Sequence, residues 1–208
     1  TGVGLLRRLC CVPLDVQGRE HIPPPGQPFV LVSNHQSYLD VGLLILAIDP
    51  VRRPLVFIAA ERLRGNRLIR WPMQRLDSLF VDRFDLLRGT GDMRRFQTAL
   101  AASRPLGFFP EGTFRRQPGL LPFRMGAFIA AAGAGVPVLP VAIRGSRDLY
   151  PGETFFPHWG GVAIHIGAPI EPAGDDWQAA VQLRDAARES IGEHCGERAA
   201  LRHQAAQP

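Results

Sequence analysis

The sequence contains no lysine; its 24 Lys+Arg positions are all arginine. A Schiff-base lysine and a P-loop lysine are both excluded. Any anion must then be held by arginine, by backbone N–H groups or by a helix N-terminus. Cysteine is scarce. Cys10, Cys11 and Cys195 form no Cys-x-x-Cys pair and have no histidine at zinc spacing. Adjacent Cys10 and Cys11 do not suit a structural disulfide, so a reducing compartment is the expectation. No stretch reaches the ~20 apolar residues of a membrane span, and the longest candidate, 41–48, stops at Asp49. There is no internal repeat. The 22 glycines and 19 prolines are spread through the chain, which sets aside collagen-like and low-complexity classes. Gly-x-Ser-x-Gly is missing, and Gly145-Ser146-Arg147-Asp148 is no substitute, so a serine hydrolase lacks its elbow. The chain shows no signal-peptide pattern and opens on Thr rather than Met, as a piece excised from a longer protein would.

What is present suits one domain. The 208 residues are 46% hydrophobic, enough for a real core. A net charge of +5 fits phosphate-bearing ligands or an anionic membrane, and equally a soluble protein with an arginine-rich face. Nucleic-acid binding has only that charge for it, with no motif, so no nucleic-acid partner is expected.

Apolar runs of strand length alternate with longer helical stretches. Strands are expected near 14–18, 29–32, 55–60, 79–81, 105–109, 136–143 and 162–166. Helices are expected after Tyr38, from Thr90-Gly91-Asp92 to about Ala102, over 125–134 ending at Gly135, and over 175–193. The two prolines of 136–143 suggest an edge strand or a bulge. The fold class predicted is α/β, a mixed, largely parallel sheet flanked by helices. Two polar turns, one at His35 and one at Glu111, each follow a buried strand. If those strands are parallel, both turns lie on one rim, where ligands of open α/β sheets gather.

The stretch Phe29-Val30-Leu31-Val32-Ser33-Asn34-His35-Gln36-Ser37-Tyr38-Leu39-Asp40 reads as strand, turn, helix start. At about 100° per residue, positions i and i+5 on one helix diverge by roughly 140°. His35 and Asp40 therefore meet only if the chain bends between them, and a strand-to-helix turn bends it. Together they would form the base and orienter of a triad. Ser37-Tyr38-Leu39-Asp40 equally fits a capping box, in which Asp40 is only a helix start signal. Further along, Arg62, Arg64, Arg67 and Arg70 interleave with Leu63, Leu68, Ile69, Trp71 and Met73. That is the composition of an interfacial segment, or of an arginine-rich helix packed by its apolar side.

Asn34-His35-Gln36-Ser37-Tyr38-Leu39-Asp40 resembles the signature of the glycerolipid acyltransferases, the 1-acylglycerol-3-phosphate acyltransferase family. Phe109-Pro110-Glu111-Gly112-Thr113 is similar to that family's third block, and Val136-Pro137-Val138-Leu139-Pro140-Val141 to its fourth. Arg83, closing Leu79-Phe80-Val81-Asp82, matches the arginine that ends its second block. The resemblance runs from about Val16 to Ile170, within one domain over 1–208 whose C-terminal helix and tail occupy 171–208. It implies acyl transfer from acyl-CoA or acyl carrier protein, a co-substrate rather than a cofactor, to the hydroxyl of a lysophospholipid or glycerol-phosphate acceptor. It implies His35 as general base, Asp40 as its orienter and no protein nucleophile or metal. Arg83, Glu111, Gly112 and Thr113 would form the acceptor phosphate site. Residues 138–141, Pro140 among them, would line the acyl or thioester region and present N–H groups to the oxyanion. Independently of the resemblance, the arginine-rich segment with Leu63, Leu68, Ile69, Trp71 and Met73 motivates a peripheral place on the inner, cytoplasmic face of a membrane.

The chain departs from the pattern twice. Phe114 stands where the family has arginine, with Arg115 and Arg116 following, and 59–63 lacks the family's lysine. Both departures fall on the phosphate site. They open the alternative of an aminolipid or other lysolipid acceptor. A non-catalytic lipid-binding module of a larger lipid enzyme is the alternative from another class.

Overall fold

Val30 and Val32 turn to one side of their strand, and Phe29 and Leu31 to the other, all fully buried. A strand buried on both faces belongs in the middle of a covered sheet. The computed structural model, which describes residues 13–48, 55–65, 70–71, 74–75, 77–81, 86–113, 118–149 and 160–197, places it there. The strands are β1 (Leu14–Gln17), β2 (Val30–Ser33), β3 (Val56–Ala60), β4 (Leu79–Val81), β5 (Leu106–Phe108), β6 (Val138–Arg144) and β7 (Val162–Ile166). They form one seven-stranded sheet in the order β1-β7-β6-β2-β5-β3-β4. Every pairing is parallel except that of β6 with β7. The expected mixed, largely parallel sheet is what forms.

The helices are α1 (Asp40–Ile48), α2 (Leu86–Ala101), α3 (Gly126–Ala134), α4 (Ser146–Leu149) and α5 (Trp177–His194). Residues of α2, α3 and α5 share one apolar cluster with Val30, Val32, Leu106 and Phe108. Those of α1 share the other with Phe29, Leu31, Phe57 and Leu139. The result is helix, sheet, helix. α3 is apolar all round because it lies between the sheet and the outer helices, and it ends at Gly135, whose left-handed φ of 62° caps it. α5 starts on Asp176, whose side chain accepts the Ala179 N–H at 2.8 Å.

Two expectations are corrected. Thr90-Gly91-Asp92 does not start a helix but lies inside α2, which begins at Leu86. Asp92 pairs instead with Arg95 at 2.9 Å, and Arg95 also reaches the Phe80 carbonyl at 3.1 Å. β6 is not an edge strand; it has β2 on one side and β7 on the other. The bulge falls on its neighbour. Between the Val141–Ile166 pair and the Val138–Ile170 bridge, Leu139 and Pro140 face Gly167, Ala168 and Pro169. The Pro140 carbonyl accepts the Gly167 N–H at 2.9 Å, so the missing N–H of Pro140 points to the bulged side and β2 loses no rung. The arginine-rich segment opens as a 3-10 helix, Glu61–Gly65. Arg64 there pairs with Glu61 at 3.0 Å and lies over the Phe80 ring. Residues 66–69 and 72–73 lie outside the described residues, as do 1–12 with Cys10 and Cys11.

Candidate active site

β2 and β5 are adjacent and parallel, so the turns that follow them meet on one rim. The contact is direct: the His35 N–H donates to Glu111 Oε1 at 2.8 Å.

The His35 turn is held from every side. Asn34 is fully buried, and its amide does what a further strand residue would do. Its Nδ2 donates to the Ile143 carbonyl and its Oδ1 accepts the Ile143 N–H, both at 2.8 Å. Gln36 is buried, its amide between the Cys195 carbonyl and the Ser146 hydroxyl, each at 3.4 Å. His35 lies between these anchors with its side chain 17% exposed.

His35 Nδ1 lies 2.9 Å from Asp40 Oδ2, and Asp40 is fully buried at the first position of α1. The carboxylate is an acceptor here, which puts the imidazole proton on Nδ1 and leaves Nε2 as the basic nitrogen. The same Oδ2 also accepts the N–H of Gln36 at 2.6 Å and of Ser37 at 2.9 Å. Ser37 Oγ accepts the Leu39 N–H at 3.3 Å. One oxygen of Asp40 thus makes the contacts that both readings of it call for, to the imidazole and to the backbone of the turn. Asp40 Oδ1 is buried and has no hydrogen-bond partner among the described residues.

Glu111 lies on the same rim, facing the His35 turn. Its second oxygen accepts the Leu121 N–H at 2.8 Å, so both are engaged by backbone. Burial pushes its carboxyl up to about 7, against the pull of these two N–H groups; nearby Glu197 adds to the rise and Arg147 opposes it. A buried acid facing backbone N–H groups holds a turn. Gly112 has φ 77° and closes the same turn, its N–H on the Phe109 carbonyl at 2.9 Å. Thr113 follows it, exposed.

Pro140 is buried inside the sheet, level with Val32. Residues 138–141 are flanked by strands on both sides, and the Val138 N–H is bonded to the Ile170 carbonyl at 2.9 Å. This stretch supports the rim from within the sheet. Arg83, Phe114, Arg115 and Arg116 lie outside the described residues.

Among the described residues, Cys195 and Ser146 are poorly placed to act as nucleophiles. The Cys195 thiol is buried, which raises its pKa and suppresses the thiolate. Ser146 is fully buried with its hydroxyl on Gln36. No group of three or more metal-ligating side chains occurs among the described residues. A cavity of about 810 Å³ opens beside Gln36, but neither His35 nor Asp40 lines it.

Sequence reasoning missed the ring beside the imidazole. Phe109 stacks on His35 with centroids 4.1 Å apart and planes 20° apart. The alternation of β5 held the signal, since Gly107 and Phe109, two apart, face the same side.

A mixed α/β sheet with a buried carboxylate orienting a rim histidine defines a scaffold for acid–base chemistry. The chain matches the family described as Acyltransferase over residues 13–144, and it belongs to that family. It is 34% identical over 181 residues to a 1-acyl-sn-glycerol-3-phosphate acyltransferase of Chlamydomonas reinhardtii, covering 86% of this chain and 52% of that one. It is 35% identical over 150 residues to the lyso-ornithine lipid O-acyltransferase of Pseudomonas aeruginosa, covering 70% and 54%. Its fold is similar to the crystal structure of the 1-acyl-sn-glycerophosphate acyltransferase of Thermotoga maritima, with TM-score 0.73 and 29% identity, over 92% of this chain and 74% of that one. The chain spans about half the length of the curated relatives it matches.

Proposed function

We propose that the chain is the catalytic part of an O-acyltransferase that moves a fatty acyl group from a thioester, acyl-CoA or acyl carrier protein, to the hydroxyl of a lysophospholipid. The observation that carries this reading is the 2.9 Å contact between His35 Nδ1 and the fully buried Asp40. With Nδ1 engaged, His35 Nε2 takes the proton as the acceptor oxygen attacks the thioester carbonyl. The C–O bond forms, and collapse of the tetrahedral intermediate breaks the C–S bond. The imidazolium, stabilised by Asp40, returns the proton to the leaving thiolate. No acyl-enzyme is needed. A base positioned in this way contributes about 10²–10⁴ in rate. An assembled dyad also argues against a lipid-binding module without activity.

The acceptor has two readings. Lysophosphatidate is favoured by the relatives named for 1-acylglycerol-3-phosphate, with Arg83 and Arg115 as anchors. A lyso-aminolipid is favoured by Phe114 in the arginine's place and by the relative named for lyso-ornithine lipid. Either substrate is a membrane lipid. No helix among the described residues is long and apolar enough to cross a bilayer. Peripheral docking on an inner, anionic membrane face is supported by Trp71, exposed with Arg75 over its ring, and by exposed Tyr38 in the His35 turn.

Mass spectrometry of products from purified protein, acyl-CoA and a panel of lysolipids tests the reading. An ester product that disappears with His35→Ala is expected. Equal turnover by a folded His35→Ala protein would overturn the mechanism.

A further inference from the structure

A hydrogen bond at Nδ1 ties one corner of an imidazole to its carboxylate but limits the tilt of the ring plane only loosely. The χ2 torsion of histidine is broad and does little to restrict it. Something else must set the plane of the His35 ring, and with it the direction of Nε2.

The structure holds a column of rings that does so. His35 and Phe109 stack with centroids 4.1 Å and planes 20° apart. Phe109 in turn lies 6.4 Å and 15° from Phe57, which is 1% exposed in β3. Phe57 pairs in register with Gly107 of β5. A Cβ on Gly107 would come within 3.1 Å of two Phe57 ring carbons and 3.3 Å of a Leu55 methyl. The missing side chain at Gly107 is thus the space in which the Phe57 ring lies.

We infer that Phe109 is a positioning residue for His35, seated by Phe57 over Gly107, and that it sets the imidazole plane which Asp40 alone leaves undefined. The inference rests on the reading of His35 as the base. Phe109 touches neither donor nor acceptor in this scheme. It closes one face of the imidazole, so the acceptor hydroxyl must arrive at the ring edge. Its negative π-face also meets the ring on which positive charge develops.

The test combines turnover with proton NMR of the His35 ring. In the wild-type protein the His35 ring protons are expected upfield of their random-coil positions, because they lie over the Phe109 face. Phe109→Leu should abolish that displacement and lower kcat by about 10- to 10²-fold at nearly constant KM, the scale expected for misplacing a catalytic group. Phe109→Tyr keeps the ring and should restore both. If Phe109→Leu does not fold, Gly107→Ala decides the matter: the added methyl moves Phe57 and should shift the His35 resonances and lower kcat together. A folded Phe109→Leu protein, or a folded Gly107→Ala protein in its place, with wild-type kcat and unchanged His35 resonances overturns the inference. The NMR readout needs no turnover. A wild-type protein with displaced His35 resonances but no acyl transfer would sink the proposed function and leave the stack standing.

Discussion

The Asp40 oxygen that lies 2.9 Å from His35 Nδ1 also accepts the N–H groups of Gln36 and Ser37. Orientation of the base and closure of the turn therefore cannot be separated by mutating Asp40. Asp40→Asn still offers one oxygen to these three donors but without the negative charge that strengthens each bond, and it should lose on the order of 10³–10⁴ in kcat and about 1–3 kcal/mol of stability. His35→Ala should abolish turnover while costing about 1–3 kcal/mol of stability, since it gives up a partly exposed ring contact and one of the three hydrogen bonds to Asp40 Oδ2. Activity assays beside urea denaturation of both variants check this. Asp40→Asn with full stability would mean that other groups close the turn.

The Asn34 amide pairs with both polar groups of the Ile143 backbone. Asn34→Ala leaves two buried backbone groups without partners and should cost about 2–6 kcal/mol, at roughly 1–3 for each group left unsatisfied. Asn34→Asp should rescue only half, because it accepts the N–H but sets an oxygen against the Ile143 carbonyl. Denaturation midpoints of the two variants measure the difference. Equal, negligible losses would show that the turn is held without Asn34.

Glu111 makes stability depend on pH in a defined direction. Burial raises its carboxyl from 4.5 to about 7 in the folded chain. Between those values the folded state binds more protons than the unfolded state, so this contribution to stability is full below 4.5 and declines as pH rises through 7. Glu111→Gln removes the titration. Its stability, measured by urea unfolding from pH 5 to 8, should fall less with rising pH than that of the wild type. Parallel curves would mean that Glu111 is ionised throughout.

The opposite slope is expected from His165. Its ring stacks on His194 of α5 with centroids 3.6 Å and planes 1° apart, and its Nδ1 is buried without a partner among the described residues. Burial, with His194 and His21 nearby, lowers its pKa below 6.5, and Glu20 only partly opposes this. Stability from this site is full above 6.5 and is lost as pH falls below it. His165→Phe keeps the stack without the proton. Its Tm should drop less than that of the wild type between pH 7 and pH 5.

Local pattern by itself determined the order of strands and helices, the mixed parallel sheet and the two polar turns. Apolar periodicity and turn residues are properties of neighbours in the chain. The His35–Asp40 pairing was legible for the same reason: five residues across a strand-to-helix turn leave few ways to fold. Start signals misled at Thr90-Gly91-Asp92, because Asp92 found Arg95 and gave no cap. Tertiary structure decided what depends on residues far apart in sequence. Pro140 became central once β7 bulged opposite it, and no window around residue 140 contains β7. Glu111 became a brace for the turn because β5 lies beside β2, 76 positions away. Phe109 came to face His35 because Gly107 leaves room for Phe57 on a third strand. Sheet pairing brought these groups together, and pairing between distant strands is set by burial of the whole core, which no short stretch of sequence encodes.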